Sequence, residues 1–355
     1  MHRRAVPSRL MLPLVLAPVL ALGACASGAS GSASSSTTAA ATAATFSPVT
    51  LDDCGTQVTV TKPPTRVVSI KSSATEMMLA LGLGDRLVGT AFADGPVPSQ
   101  WAAAAAKVPV LGDTLPSQEA LLAANPDFVY AGWESNVSSS GVGDRATLAS
   151  RGIGTYVSPA ACKEKGSMPD PLTFDTVFGE IGQVGQIFGV PDRAAALVAK
   201  QKADLAAVHK LAGHRTALWY SSGNDTPYVG AGIGAPQMIM DAAGLTNVFA
   251  DVHDTWTSVG WEKVVAANPD VIVLVDATWN TAASKITALE QNPATAQLAA
   301  VKQHRYVVVP FAATEAGVRN VEAVQTVVAG VNALDGGPAP TGGATAAPSS
   351  TTSAG

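Results

Sequence analysis

Short apolar runs alternate with helical patterns along the first half of the chain. A hairpin pattern leads into a strand at residues 66–70, and the segment KSSATEMMLALGLGDRLVGT then predicts a helix and another strand. Ser73, with Glu76 three residues later, predicts a capping box at the start of that helix. Strands that alternate with helices are typical of a parallel α/β sheet, which we expect in this half.

The second half repeats this order. TALWYSSG predicts a strand, GAPQMIMDAAGL a helix, NVFAD a strand, WEKVVAANP a helix and DVIVLVDATW a strand. The repeat is clearest between residues 119–133 and 262–279, which align Glu119 with Glu262 and share the sequence Ala-Asn-Pro-Asp. Since proline disfavours a helical conformation in the residue before it, Asn-Pro-Asp predicts the end of a helix and the start of a strand.

Two helices are predicted between the halves. Apolar residues recur at helical spacing from Phe174 to Phe188, and Pro191 suits the first turn of a second helix. We therefore predict an α/β fold of two similar lobes with parallel-sheet topology, joined stiffly by helix. The N-terminal lobe spans 51–172, the linking helices 173–211 and the C-terminal lobe 212–335.

Both ends of the chain differ from this pattern. Arg3, Arg4 and Arg9 precede an apolar run, which predicts an export signal over residues 1–24. The ending Leu-Gly-Ala-Cys resembles a bacterial lipobox and implies a lipid on Cys25; an ordinary cleaved signal is the alternative. Residues 25–50 and 336–355 are mostly small or polar, so we expect a flexible tether and a disordered tail. The predicted location is extracytoplasmic, with a lipid anchor in the membrane.

Charge and cysteine content narrow the picture. The 355 residues include 22 Lys or Arg and 27 Asp or Glu, with no basic run, which argues against a nucleic-acid partner. With Cys25 assigned to lipid, Cys54 and Cys162 remain, and export to an oxidising compartment predicts a disulfide between them. Two buried free thiols are the alternative. The histidines, among them His253, lack metal-binding spacing, and no metal site is expected.

The chain resembles the class III substrate-binding proteins of bacterial ABC importers, the iron–siderophore and cobalamin type. The resemblance rests on RVVSIKSSATEMMLALGLGDRLVGT, the two Glu…Asn-Pro-Asp blocks, the linking helices and the lipobox, and it covers about residues 50–334. GWESN, SPAACKE, LWYSSG and TPYVGAGIGAPQMIMDAAGLTN also resemble an actinobacterial subgroup described as binding proteins for a precursor of the deazaflavin coenzyme factor 420.

The resemblance implies a monomeric binding protein rather than an enzyme, with its ligand between two lobes. Its partners would be an ABC permease and its ATPase subunits, which dock on one exposed glutamate per lobe, here Glu119 and Glu262. The alternative for these glutamates is simple stabilisation of the first turn of a helix. The alternative for the whole protein is a two-lobed α/β enzyme of the chelatase or metal-cofactor type, although no nucleophile elbow or phosphate loop is found.

Ligands of such folds bind where the carboxyl ends of strands meet the amino ends of helices. The residues predicted there are Lys71, Ser72, Trp133, Glu134, Arg145, Trp219, Tyr220, Tyr228, Trp256, Trp279 and Arg319, with Ser73, Asn136 and Ser221 beside them. As a group the aromatic rings would stack on a ligand, with core packing as the alternative for any single one. Lys71, Arg145 and Arg319 would hold an anionic group, with an ordinary surface or helix charge as the alternative for each arginine. A deazaflavin precursor, a ferric siderophore and a corrinoid all fit, so a metal would arrive only with the ligand and no cofactor is expected.

Overall fold

The computed structural model describes residues 46–163 and 166–337. The predicted export signal, Cys25 and nearly all of the predicted tail lie outside these residues. The first strand begins at Val49, so the tether predicted to reach residue 50 extends two residues too far. Between residues 46 and 337, none of the described helices has both the length and the apolar character that a bilayer span requires.

The N-terminal half is built on one parallel sheet. A separate antiparallel hairpin, β1 (Val49–Asp53) and β2 (Thr56–Val60), precedes it. The sheet has five strands in the order β5-β4-β3-β6-β7. These strands are β3 (Val67–Ile70), β4 (Leu87–Ala91), β5 (Val110–Gly112), β6 (Phe128–Ala131) and β7 (Gly154–Val157). The helices of this half are α1 (Ser72–Ala80), α2 (Ser99–Ala105), α3 (Gln118–Ala123) and α4 (Arg145–Ser150).

Two antiparallel helices join the halves, as the apolar spacing predicts. They are α5 (Phe174–Ile187) and α6 (Pro191–Ala206), and Pro191 occupies the first turn of the second helix. Phe174 at the start of α5 and Leu205 near the end of α6 contact the apolar clusters of both halves. One end of the link therefore packs against both halves, and the rest of it packs against the N-terminal half.

The C-terminal half is built on a mixed sheet. Its path is β11-β9-β8-β12-β13, with β10 also paired to β8. The strands are β8 (Thr216–Ser222), β9 (Tyr228–Gly230), β10 (Thr246–Asn247), β11 (Trp256–Ser258), β12 (Val271–Asp276) and β13 (Tyr306–Pro310). The helices are α7 (Ala235–Ala243), α8 (Trp261–Ala267), α9 (Ala282–Gln291), α10 (Ala299–Lys302), α11 (Phe311–Thr314) and α12 (Asn320–Leu334).

One prediction for this half is wrong. The central strands β8, β12 and β13 are parallel, as predicted, and β9 and β11 add an antiparallel edge beside β8. The segment NVFAD is not a strand, because β10 ends at Asn247. The Asn247 side chain accepts a hydrogen bond from the Phe249 backbone N–H at 3.0 Å, and this local bond turns the chain out of the sheet.

Each sheet is buried on both faces. In β8, Trp219 packs on the side of α7 and α12, whereas Tyr220 packs on the side of α8 and α9. Neighbouring side chains of a strand point to opposite faces, so a strand covered by helices on both sides must be apolar at every position. This explains the continuous apolar runs seen in the sequence.

The predicted capping box is wrong. Helix α1 begins at Ser72, so Ser73 lies inside its first turn, and the residue that precedes the helix is Lys71, with a φ of 80°. The Glu76 side chain does not fold back to the start of its helix. It instead faces the guanidinium of Arg319 at 3.4 Å, from the start of α12.

The repeated Asn-Pro-Asp forms the same clasp in both halves. Asn125 and Asn268 adopt left-handed conformations that end their helices, with φ of 48° and 41°. The Asp127 carboxylate accepts hydrogen bonds from the backbone and hydroxyl of Thr65, both at 2.9 Å, just before β3. Asp270 does the same for Thr216 at the start of β8, at 2.8 and 2.9 Å. The motif thus fastens the first strand of each sheet to a later one.

The C-terminal end of the chain returns to the N-terminal half. Val318 and Val321, at the start of α12, pack in the apolar cluster that covers β3 and β6. Gln201 of the linking helix α6 donates a hydrogen bond to the Val318 carbonyl at 2.7 Å. The core of the N-terminal half is therefore completed by residues from the far end of the chain.

Replacing Asp127 with alanine tests the clasp. Three donors, including the Arg66 backbone N–H, lose their charged acceptor. We expect the free energy of unfolding to fall by about 1–3 kcal/mol. Urea unfolding measures the change, and Asp113→Ala, at an exposed aspartate of the same half, is the control. Equal stability of the two variants would contradict the role given to Asp127.

Candidate functional site

A cavity of about 310 Å³ lies between the two halves. Its wall is built from segments that follow strands: residues 132–135 after β6, Ser158 after β7, Ser221 and Ser222 at the end of β8, Trp279 after β12, and Phe311 with residues 314–316 after β13. Ser73 of α1 and Ala235 of α7 add the amino ends of two helices. This is the position predicted for a ligand, and the volume lies at the small end of the range for ligand sites.

Five aromatic side chains line the cavity. Four of them, Trp133, Tyr228, Trp256 and Trp279, are predicted ligand residues, and Phe311 joins them. Tyr228 and Trp256 stack with ring centroids 5.9 Å apart and planes inclined by 17°. Trp279 meets Phe311 edge-on at 5.4 Å and stays 49% exposed. Since an exposed tryptophan is costly in water, this surface suits a ligand with flat or apolar faces.

The Tyr228–Trp256 pair depends on the antiparallel edge of the C-terminal sheet. Tyr228 lies in β9 and Trp256 in β11, and Ser258 is the register partner of Tyr228. Both strands have only three residues, too short for an alternating pattern to indicate them. The sequence therefore predicts Tyr228 and Trp256 as ligand residues, but it does not predict the antiparallel pairing of β9 and β11 that brings them together.

Lys71 lies beside the cavity wall and is not part of it. Its ammonium forms a buried ion pair with Asp94 and lies 3.8 Å from the ring centroid of Trp133, 4.0 Å from that of Phe92 and 5.1 Å from that of Phe311. Burial lowers the pKa of Lys71, and the Asp94 carboxylate opposes this effect. A ligand in the cavity would not reach this ammonium directly.

Ser72 is likewise engaged inside the protein. Its hydroxyl accepts a hydrogen bond from the Asp94 backbone N–H at 2.8 Å, and the residue is buried. Its neighbour Ser73 lines the cavity instead. The carboxyl end of β3 therefore lies near the cavity, as predicted, but Ser73 rather than Ser72 lines it.

Arg145 and Arg319, the other predicted cations, are also paired. Arg145 forms an ion pair with Asp53 and donates to its carbonyl at 2.6 Å. Arg319 donates to Glu322 at 2.6 Å and faces Glu76 at 3.4 Å. Neither arginine lines the cavity. Asp53 and Glu76 come from distant parts of the chain, whereas Glu322 lies one helical turn after Arg319.

Trp219 and Tyr220 lie in the core rather than at the cavity. Both are fully buried within β8, on opposite faces of the sheet. The carboxyl end of β8 is formed by Ser221 and Ser222, which do line the cavity. Asn136 also lies off the cavity lining, and its side chain accepts a hydrogen bond from the Trp133 backbone N–H at 3.1 Å.

Two carboxylates of the described part of the chain line the cavity, one from each half. Glu134, a predicted ligand residue, accepts a hydrogen bond from the Lys163 backbone N–H at 2.5 Å. Glu315 accepts one from the Trp133 indole N–H at 2.9 Å, across the two halves. Burial raises the pKa of Glu315. Glu315 was not predicted, although it follows closely on the predicted strand RYVVVP.

The predicted disulfide between Cys54 and Cys162 is present, with the two Cα atoms 5.1 Å apart. It ties the β1–β2 hairpin to the segment after β7. That segment carries Ala160, Ala161 and Lys163, which line the cavity. The disulfide therefore fixes part of the cavity wall as well as the hairpin.

A buried carboxyl group lies behind the same wall. Glu180 of α5 accepts a hydrogen bond from the Tyr130 hydroxyl at 3.0 Å. The Ser158 hydroxyl lies beside this carboxyl but makes no well-oriented hydrogen bond. Burial raises the pKa of Glu180 to about 7. The linking helix and the cavity wall thus share a group that titrates near neutral pH.

The remaining predicted residues, Glu119, Glu262 and His253, are exposed and lie outside the cavity lining. Glu119 and Glu262 are exposed in the first turns of α3 and α8, at matching positions of the two halves. In residues 46–163 and 166–337, no three His, Cys, Asp or Glu side chains are grouped to hold a metal ion. His253 pairs with Asp170 at 2.8 Å and is exposed.

Residues 67–313 match a family model described as periplasmic binding protein. This is more than half of the chain, which therefore belongs to the periplasmic binding protein family. Family members are substrate-binding proteins, so the prediction of a binding protein rather than an enzyme is confirmed. An uncharacterized ABC transporter substrate-binding lipoprotein of Bacillus subtilis is 29% identical over 294 residues, 78% of this chain and 83% of that protein.

Two further proteins resemble the chain. The vitamin B12-binding protein of Yersinia pseudotuberculosis is 25% identical over 212 residues, 59% of this chain and 69% of that protein. A crystal structure from Saccharomonospora viridis, described as an ABC-type Fe³⁺-hydroxamate transport system, is 29% identical with a TM-score of 0.70. That match covers 81% of this chain and 99% of the other. The predicted fold class is confirmed, and the factor 420 subgroup stays a prediction.

The pKa of Glu180 predicts a pH dependence of stability. Its value of about 7, against 4.5 for an ordinary glutamate, means that folding favours the protonated form. The resulting stabilisation is complete below the unfolded pKa and is lost as the pH rises through about 7. Asp53, with a pKa raised to about 6, and Glu76, raised to about 7, act in the same direction.

We therefore expect the free energy of unfolding to fall between about pH 5 and about pH 8, and Glu180→Gln to remove as much as about 3 kcal/mol of that fall. Urea unfolding across this pH range measures the slope. The exposed Asp251 provides the control substitution Asp251→Asn. An unchanged slope in Glu180→Gln would contradict the assignment.

Proposed function

We propose that this protein is the substrate-binding component of an ABC importer. It captures an organic or metal-chelate ligand outside the cell and delivers it to a permease with its ATPase subunits. The observation that carries the proposal is the aromatic cavity between two halves of a periplasmic binding protein, with a matching exposed glutamate on each half. The protein acts as a lipid-anchored monomer, held by Cys25 on the outer face of the membrane.

The cavity favours a ligand with flat or apolar faces. Ferric siderophores, corrinoids and a deazaflavin precursor each offer such faces, and the relatives from Yersinia and Saccharomonospora carry names that refer to vitamin B12 and to a ferric hydroxamate system. Hydroxyl groups of Ser73, Ser158, Ser221 and Thr314 are spread over the wall and supply hydrogen-bonding positions. A few polar groups on an apolar wall are typical of ligand sites.

Several hydrogen bonds join the halves beside the cavity. The Trp133 indole donates to Glu315, and the Thr278 backbone N–H donates to the Asp94 carbonyl at 3.0 Å. Trp133 and Glu315 both line the cavity, so an entering ligand touches the groups that hold the halves together. The helical link of α5 and α6 keeps the movement of the halves small.

Docking on the permease would use Glu119 and Glu262. Each is the acidic residue in the first turn of its helix, and each stands at the same distance before the repeated Asn-Pro-Asp. The structural role of a first-turn acid is worth only a few tenths of a kcal/mol. A matched pair, one on each half, suits a partner that contacts both halves at once.

Glu119→Ala combined with Glu262→Ala tests docking. We expect ligand affinity within about twofold of wild type, because neither residue lines the cavity. Uptake of labelled ligand by cells that express the cognate permease should be lost, because both contacts are missing. Asp113→Ala with Asp251→Ala, at exposed positions outside the repeat, is the control pair. Normal uptake by the docking variant would contradict the assignment.

Trp279→Ala tests the ligand surface. The half-exposed indole lies on the cavity, and its loss should weaken binding by about 10- to 100-fold. The absorption spectrum of ligand that co-purifies with wild type identifies the ligand, since a deazaflavin, a ferric siderophore and a corrinoid absorb differently. Titration with that ligand then compares the variant with Val110→Ala, at an exposed apolar residue away from the cavity. Equal affinities would remove Trp279 from the site.

A further inference from the structure

The charged groups around the cavity are not balanced in sign. Glu134 and Glu315 line it directly. Asp254 is a third carboxylate near the cavity. Its charge, like that of Glu315, acts on Tyr228 of the cavity wall and adds to the effect of burial in raising the pKa of that tyrosine. Among the described residues that line the cavity, Lys163 is the only lysine or arginine.

Among residues 46–163 and 166–337, the buried or partly buried cations near these acids already have carboxylate partners. Lys71 pairs with Asp94, Arg145 with Asp53, and Arg319 with Glu76 and Glu322. Lys163 is exposed, so water screens its ammonium, while its backbone N–H is already given to Glu134. An anionic group entering the cavity would lose water without gaining a buried cation in return, which is unfavourable.

A cationic group that enters the cavity would find carboxylates to pair with. The two carboxylates face it from both halves, and the carboxyl of Glu315 is shielded enough from water for burial to raise its pKa. The aromatic wall of Trp133, Trp256 and Trp279 offers ring faces, which attract cations that have lost part of their water. The protein already uses this attraction once, where the Lys71 ammonium lies against Trp133.

We propose that the cavity selects its ligand by the sign of charge: it takes an organic molecule or metal chelate bearing a cationic group, with Glu134 and Glu315 as the counter-ions, and rejects phosphates and carboxylates. The inference rests on the proposed function and narrows its ligand class. It predicts that the cavity binds a chelate or cofactor with an ammonium group and does not bind a phosphorylated deazaflavin precursor.

A charge series of probes tests the inference on the intact binding protein. The first series is ferrioxamine B, a ferric trihydroxamate with a pendant ammonium, with its N-acetyl and N-succinyl derivatives, which are neutral and anionic. The second is cyanocobalamin with one side-chain amide either unchanged, extended by an aminoalkyl group or hydrolysed to a carboxylate. Within the series that binds, we expect affinity to fall at least about tenfold from cationic to neutral and again from neutral to anionic.

Matched variants assign the effect to the two carboxylates. Glu315→Gln keeps an oxygen that can accept the Trp133 bond, and Glu134→Gln keeps one for the Lys163 N–H. Each should reduce the preference for the cationic probe by about tenfold while leaving affinity for the neutral probe within about threefold. Glu290→Gln, at a glutamate outside the cavity lining that pairs with His304, is the control. Circular dichroism checks that every variant is folded.

The possible results test the charge selection separately from the proposed ligand-binding function. Equal affinity along a series that binds, or tightest binding of the anionic probe, overturns the charge selection and leaves the binding function standing. A preference for the cationic probe that both glutamine variants retain overturns the role of Glu134 and Glu315. Failure of wild type to bind any member of either series counts against the proposed ligand class and with it the inference.

Discussion

The ammonium of Lys71 is the group around which the two halves meet. It is buried, paired with Asp94, and enclosed by aromatic rings of which Phe92 and Trp133 belong to the first half and Phe311 to the second. A buried charge is tolerated only when its partners are in place, and removing one partner of such a pair is strongly destabilising. The contact of the halves therefore contains an electrostatic requirement as well as apolar packing.

This requirement shapes the neighbouring cavity. Trp133 covers Lys71 and also donates its indole N–H to Glu315, so one ring connects the buried ion pair to the ligand surface. Asp94 connects in the same way, because its carboxylate holds Lys71 while its carbonyl accepts the Thr278 N–H from the other half. Lys71, which the sequence predicts as a ligand contact, instead holds Asp94 and Trp133 in place. The carboxylates of Glu134 and Glu315 line the cavity.

Local patterns predicted those features that depend on neighbours in the sequence. The Asn-Pro-Asp turns, the helix that begins at Pro191 and the buried strands follow from backbone conformation and from spacing of apolar residues. The partners of Lys71, Arg145 and Arg319 could not be predicted, because Asp94, Asp53 and Glu76 lie 23, 92 and 243 residues away. Trp133 and Trp279 reach the cavity from positions after strands, whereas Tyr228 and Trp256 reach it from within β9 and β11. Trp219 and Tyr220 are buried instead, because β8 continues to Ser222.

The return of Val318 and Val321 to the N-terminal core has a bearing on how the molecule melts. One apolar cluster of each half includes residues from elsewhere in the chain, and α5 and α6 contact both of these clusters. Loss of one half would expose apolar surface of the other, so heating should not release the halves one after the other. Although the protein has two sheets in two lobes, we expect it to unfold as a single cooperative unit.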